Sequence, residues 1–160
     1  MPLSLDNRLA DRTRWKAERC SITLVLEVLS TKASFMVLRE SFYGTSKFDD
    51  FVMRTGASAP TVSRSLRHLE SAGVLARTPY RDEGSRPRDE YRLTAAGEDL
   101  LPVVFSLVQW GDAHLQGGAP PLAFVHRDSG EPVRVGVSAG EVFNLTSRDI
   151  EVRWSGPRLP

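Results

Sequence analysis

The run from Ser58 to Gly73, SAPTVSRSLRHLESAG, constrains this chain most, because its boundaries and its periodicity agree on one short helix. At ~100° per residue, Val62, Leu66 and Leu69 fall within a narrow arc and give the segment one apolar face to seat on a core. Pro60, Ser63, Arg64, Arg67 and Ser71 make up the other side. Ser58 is placed to cap the first free N–H groups, Pro60 suits the first turn, and Gly73 closes the far end.

A helix this short needs a platform, and its neighbours supply one. Upstream, KFDDFVMRTG is a short amphipathic segment ending in a glycine turn, so the pair reads helix, turn, helix. Downstream, VLARTPY and DEYRLT are strand-like runs around a polar loop from Arg81 to Arg88 that holds Gly84 and Pro87, which predicts a hairpin with a long tip. Helix, turn, helix and basic hairpin is the winged-helix order, in which the second helix takes the major groove of DNA and the hairpin tip reaches the backbone or minor groove.

The remaining segments sort by pattern. Residues 1–19 are polar with Leu5, Leu9 and Trp15 as a loose apolar stripe, an arm that needs something to lie on. CSITLVLEVLS, from Cys20 to Ser30, predicts a buried helix with Ser21 as its cap, and KASFMVLRESFYG predicts a core helix with Phe35, Leu38 and Phe42 on one side. A long helix capped by Thr94 follows the hairpin, with Pro102 near its start. It carries two stripes: Leu100, Val104 and Leu107 for the protein's own core, and Leu101, Phe105 and Val108 left over for a two-fold related copy. GGAPP then marks a hinge, and residues 117–160 predict a β appendage of three or four strands that must pack on the main domain. The expected class is mainly α with a little β: an arm at 1–19, a winged helix-turn-helix domain with a dimerisation helix at 20–116, and the appendage at 117–160.

Composition narrows the function. A chain of 160 residues with 26% charged and 41% hydrophobic residues fits one globular domain with additions. No apolar run approaches the ~20 residues of a membrane span, so the expected location is the cytoplasm, without a membrane partner. The net charge of +1 is no nucleic-acid signature, so the electrostatic case rests on where the arginines lie. A single cysteine excludes an internal disulfide and any cysteine-dominated zinc site. His68, His114 and His126 are scattered, no phosphate loop occurs, and no enzymatic activity or cofactor is expected.

Three blocks resemble the HxlR family of winged-helix transcriptional regulators: LRE at Leu38 to Glu40, RSLRHLESAGVL from Arg64 to Leu75, and EYRLTAAG from Glu90 to Gly97, with WG following at Trp110 and Gly111. The resemblance runs from Cys20 to His114 and implies a homodimeric DNA-binding regulator with the terminal helices at the subunit interface and a palindromic operator. Ala33 stands where the family has a tryptophan, and Pro60 and Ser65 stand where it favours basic residues, so base preference does not transfer. The tail resembles an extension of some members that carries a zinc ribbon, but Ser129, Gly136 and Ala139 occupy the cysteine places, and no zinc is expected despite His126.

The candidate DNA contacts are Ser63, Arg64 and Arg67 on the helix face, Thr61 and His68 at its flanks, Ser58 at its start, and Arg81, Arg86 and Arg88 on the hairpin. The bland alternatives are a solvated helix face and a polar loop diluted by Asp82 and Glu83. Cys20, near a helix N-terminus, is either a small buried hydrophobe or a sensor of oxidants and electrophiles. Two functions stay open. One is a dimeric regulator that represses by occupying a promoter and is released by a small-molecule effector or by modification of Cys20; the other is a winged-helix protein-interaction module without specific DNA binding.

Overall fold

The computed structural model describes residues 3–9, 11, 13, 20–81, 88–117, 119–140 and 145–156. Among these residues six α-helices, α1 (Ser21–Val28), α2 (Lys32–Phe42), α3 (Phe48–Thr55), α4 (Ala59–Ser71), α5 (Ala95–Glu98) and α6 (Leu101–Leu115), accompany two hairpins. The first hairpin pairs β1 (Leu75–Tyr80) with β2 (Arg88–Leu93); the second pairs β3 (Leu122–His126) with β4 (Ile150–Trp154). Trp15, Arg86 and the rest of the 82–87 tip lie outside the described residues.

The core forms where α2, α3 and α4 meet under the first hairpin. Val37, Leu38, Phe51, Val62, Leu66 and Leu69 are completely buried there, joined by Leu29, Val74, Leu75 and Val104. α2 starts at Thr31, whose hydroxyl accepts from the Ser34 N–H at 3.1 Å, and it runs as the sequence predicts, with Phe35 and Phe42 packed on the core beside Leu38. Its buried Glu40 is held by Arg39 Nη2 at 2.6 Å and by the Thr45 hydroxyl at 3.4 Å, which compensates the charge inside the fold.

Both glycine stops form. Gly56 ends α3 at φ 65°, and Gly73 ends α4 at φ 73°, a left-handed geometry that a Cβ disfavours. At the second stop the Val74 N–H reaches the Leu69 carbonyl at 2.9 Å and the Gly73 N–H reaches that of Glu70 at 2.9 Å, the paired bonds of a Schellman cap. Ser58 differs from expectation. Its hydroxyl makes no capping bond and instead meets the Thr61 hydroxyl at 2.8 Å, so this side chain leaves the first N–H groups of α4 uncapped.

In the first hairpin Leu75 lies opposite Leu93 and Tyr80 opposite Arg88. The Tyr91 N–H bonds the Ser46 carbonyl at 2.8 Å, so the segment before α3 adds a short third rung outside β2 and leaves β1 as the edge. That position tolerates Pro79, which has no N–H to give.

The long helix of the sequence reading breaks in two. Thr94 does cap it, accepting from Gly97 N–H at 3.1 Å, but its own hydroxyl donates to Gly73 carbonyl at 2.6 Å and binds this one-turn α5 to the end of α4. α6 begins anew after Leu100, with Pro102 in its first turn. Gly97 is buried against Val74 and Leu93 so tightly that a Cβ there would overlap the Val74 carbonyl oxygen. Gly97→Ala should therefore cost about 1–3 kcal/mol, through forced backbone displacement, in a urea melt; an unchanged midpoint would show that the α5 junction yields.

The stripes of α6 are also reassigned. Leu100 and Val104 join the core as expected, but Leu101 is only 6% exposed, Val108 packs on the core, and Phe105 meets Phe124 of the tail edge-on at 4.8 Å between centroids. The open face is instead Val103, Leu107 and Trp110, the last two at 53% and 58% exposure, with Leu115 beyond. The tail has folded back and covered the stripe that looked spare. Within the described residues that tail holds two strands, fewer than predicted, plus a bridge from Val125 to Pro132.

α1 is a second correction. It is helical but carries no buried residue: Ile22, Leu24, Val25 and Leu26 all face outward, and burial starts only at Val28 and Leu29. Its N-cap is Cys20, one residue before the predicted Ser21. Among the described residues no single helix is long and apolar enough to cross a membrane; α1 and α2 suffice only together, and they are bent by 81°.

Candidate nucleic-acid interface

α4 turns one side to the core and the other outward, as its residue spacing requires. Val62, Ser65, Leu66 and Leu69 are buried, whereas Pro60, Arg64, Arg67 and Ser71 form an exposed stripe with Ser63 at one flank and Thr61 at the other, both half-buried. Ser65 thus cannot meet a groove. His68 also leaves the predicted set: its Nε2 bonds the Glu27 carbonyl at 2.9 Å, which braces α4 against the C-terminal end of α1. Ser58 and Thr61 remain at the start of α4, where N–H groups and the positive end of the helix dipole suit a phosphate.

The far flank of α4 is tied to the hairpin by a residue that the sequence reading missed. Arg77 Nε lies 3.2 Å from Glu70 Oε1, and its Nη1 lies 3.4 Å from Asp89 Oδ2. The signal was there, an arginine in a strand and an acid two residues before the C-cap Ala72, but only the fold brings the three together. Lys47, just before α3, sits over the Tyr80 ring at 4.7 Å and ties the hairpin to the platform.

Arg81 and Arg88 bracket the hairpin tip, and both are exposed. Arg88 reaches back to Asp49 of α3 at 2.9 Å, so its charge is partly answered inside the chain. Arg92 beside Glu90 likewise holds that carboxyl below the ordinary carboxylate range. Two hairpin acids, Asp89 and Glu90, are thus engaged by arginines of the same hairpin, Arg77 and Arg92. Asp49→Ala should release Arg88 and remove a negative charge beside it, tightening DNA binding by about two- to fivefold at low salt; a titration by anisotropy that shows weaker binding would rule out the wing contact.

Cys20 is fully exposed at the start of α1. The Sγ makes no capping bond of full geometry, yet the backbone N–H of Thr23, then that of Ile22, then the Thr23 side chain favour the thiolate and lower the thiol pKa. A lowered pKa means more thiolate at a given pH. The iodoacetamide alkylation rate of Cys20 should accordingly reach its half-maximum at a lower pH than that of cysteine in a short unstructured peptide, and coincident profiles would contradict the geometry. Within the single chain Cys20 is exposed rather than buried.

In the tail, the His126 Nδ1 and the Ser129 hydroxyl lie 3.1 Å apart. Among the described residues no three His, Cys, Asp or Glu side chains are grouped to hold a metal ion.

The platform, the exposed arginine stripe and the hairpin all lie in the part of the chain that a known family covers. A family model described as HxlR-like helix-turn-helix covers residues 28–118. The chain belongs to the HxlR family. Its relatives are named as transcriptional regulators: an uncharacterized HTH-type regulator of Mycobacterium tuberculosis H37Rv is 34% identical over 134 residues, spanning 81% of this chain and 82% of the relative. Another from Synechocystis is 35% identical over 98 residues, 61% of this chain and 71% of its own. Among solved structures, that of PA1607, described as a candidate transcription factor, superposes with a TM-score of 0.69 at 30% identity, covering 85% of this chain and 95% of that one. The redox regulator HypR in its oxidized form superposes at 0.54 with 26% identity, covering 59% and 97%. This HxlR protein is thus a DNA-binding transcriptional regulator built on a winged helix.

Proposed function

We propose that the protein acts as a homodimer on a palindromic operator in the cytoplasm and represses by occupying the promoter. Arg64, Arg67 and Ser63 read base edges in the major groove; Ser58 and Thr61 hold phosphates at the start of α4; Arg81, Arg86 and Arg88 follow the backbone at the wing. The observation that carries this reading is the exposed Arg64–Arg67 stripe on a helix whose opposite face is completely buried.

Dimer formation rests on apolar surface that stays exposed among the described residues. α1 contributes Ile22, Leu24, Val25 and Leu26, and α6 contributes Val103, Leu107 and Trp110; Leu5 and Leu9 of the arm are exposed too, and Trp15 is assigned to the same interface from its sequence position. Release follows from a small-molecule effector or from oxidation of Cys20, either of which needs only to favour one spacing of the two recognition helices. The likeness to a protein described as a redox regulator supports the second route.

The test is a footprint combined with sedimentation equilibrium. Two protected half-sites centred roughly ten base pairs or a multiple apart are expected, with a mass of two chains. Leu107→Glu should yield a monomer and weaken operator binding by at least about a hundredfold, because both half-sites are then bound separately. A monomeric wild-type protein, or one that binds every fragment alike, would leave only an interaction module.

A further inference from the structure

The hairpin of β3 and β4 has one answered edge and one open edge, and two bonds just beyond the strands show which residues point where. The Arg127 N–H donates to the Asp149 carbonyl at 2.8 Å and the Ser155 N–H to the Pro121 carbonyl at 2.9 Å, both in the register that pairs Val125 with Glu151. Hydrogen-bonded pairs alternate along an antiparallel ladder, so the odd-numbered residues of β3 and β4 bond each other. The even-numbered ones turn their N–H and C=O groups outward. On the β3 side these are answered: the His126 N–H reaches the Glu131 carbonyl at 2.8 Å, and the Phe124 carbonyl accepts from the Val133 N–H at 2.9 Å.

On the β4 side only the first residue is answered. Ile150 gives its N–H to the Ser147 carbonyl, and its own carbonyl accepts from Arg127 Nη2 at 3.2 Å. Among the described residues nothing does the same for Val152 and Trp154, which are 41% and 39% exposed. An outward row of unanswered backbone groups invites another strand. Side chains select which one. Glu151 and Arg153 lie on one face of β4, and Ile150, Val152 and Trp154 on the other. Laid antiparallel against itself about Val152, the strand IEVRW sets Glu151 opposite the partner's Arg153 and Ile150 opposite the partner's Trp154. Moving the axis by one residue sets Glu151 against itself or Arg153 against itself, so charge selects the register centred on Val152. Glu151 Oε2 is already 2.7 Å from Arg153 Nη2 of its own strand, and pairing joins two such bridges into a ring of alternating charge.

We propose that β4 is a self-association edge, which pairs antiparallel with β4 of a second copy about Val152 and joins the two small sheets into one. Val152 exchanges both of its outward backbone bonds with the partner's Val152, and the Trp154 N–H goes to the partner's Ile150 carbonyl. Two short strands make a weak contact. The edge is distinct from the apolar surface of α1 and α6, so it serves to join copies already held close, as in two dimers on neighbouring operators, where effective concentrations reach about the millimolar range. That consequence rests on the regulator proposed above, whereas the pairing itself does not.

Raising the full chain from roughly 5 µM to roughly 1 mM in sedimentation equilibrium should double its mass from two chains to four. In Leu107→Glu, or if the helix dimer does not form at all, the same step runs from one chain to two, so failure of either interface is read separately. Glu151→Arg and Arg153→Glu should each weaken the association at least about tenfold, and the two combined should restore it, because opposite charges face each other again. Val152→Pro removes an N–H that points away from β3, so the hairpin and the melting temperature should persist while the association is lost. Amide exchange at Val152 should slow as concentration rises. No rise in mass up to roughly 1 mM, a rise that Glu151→Arg or Val152→Pro leaves unchanged, or a double reversal that fails to restore it overturns the pairing; the charges of β4 then serve only to keep an edge unpaired.

Discussion

Replacing both Arg64 and Arg67 with alanine should abolish the operator footprint while leaving the dimer and its melting temperature unchanged. Both side chains are exposed on α4, so neither removal disturbs the core beneath. A forked arginine contact to guanine O6 and N7 discriminates by about 1–3 kcal/mol, so each single replacement should weaken specific binding by about ten- to a hundredfold. The salt dependence divides the roles further. A residue that reads a base relaxes preference at one position, whereas a phosphate contact lowers affinity for all sequences and reduces the salt slope by about one. Arg67→Lys keeps the charge but loses the planar fork, so it should retain non-specific affinity and lose discrimination. Footprints that survive the double replacement would mean that α4 does not enter the groove.

Phe51→Ala should cost about 3–5 kcal/mol in urea denaturation, because it empties the largest completely buried side chain from the junction that carries α4. Phe51 leads the side chains with no exposed surface, and Val62, Leu66 and Leu69 of the recognition helix belong to the same cluster. A cavity there deprives the helix of its seat, so DNA binding should be lost at temperatures where a fraction of the chain still folds. Met53 is the control. It lies two residues away on the same helix but is 68% exposed, and its replacement by alanine should stay within about 0.5 kcal/mol. Comparable losses for the two would mean that α3 does not pack as described.

Where expectation and structure agree, the governing interactions are local. Gly56 and Gly73 stop their helices because the backbone there turns left-handed, and Thr94 caps because its hydroxyl reaches an N–H three residues on. The inward face of α4 follows from a period of 3.6 residues alone. Ser58 is a local exception, its hydroxyl meeting Thr61 instead of capping, but elsewhere a distant segment intervened. His68 was counted with the DNA face until the Glu27 carbonyl, 41 residues earlier, took its ring nitrogen. Leu101, Phe105 and Val108 looked spare until the core and the returning tail covered them. α1 is as apolar as a core helix, and hydrophobicity does not say whose core is meant.

By itself the amino-acid sequence determined the helix-turn-helix, the hairpin around a polar tip, the outward arginines and the family, since caps, turns and periodicities act over a few residues. Tertiary structure alone decided which apolar stripes stay open, that Arg88 is answered by Asp49 and Arg77 by Glu70 and Asp89, and that the tail folds back over α6. The physical reason is that burial and ion pairing are properties of surfaces brought together across the chain. Arg88 and Asp49 stand 39 residues apart and His68 and Glu27 stand 41, so no short window contains both halves of those contacts.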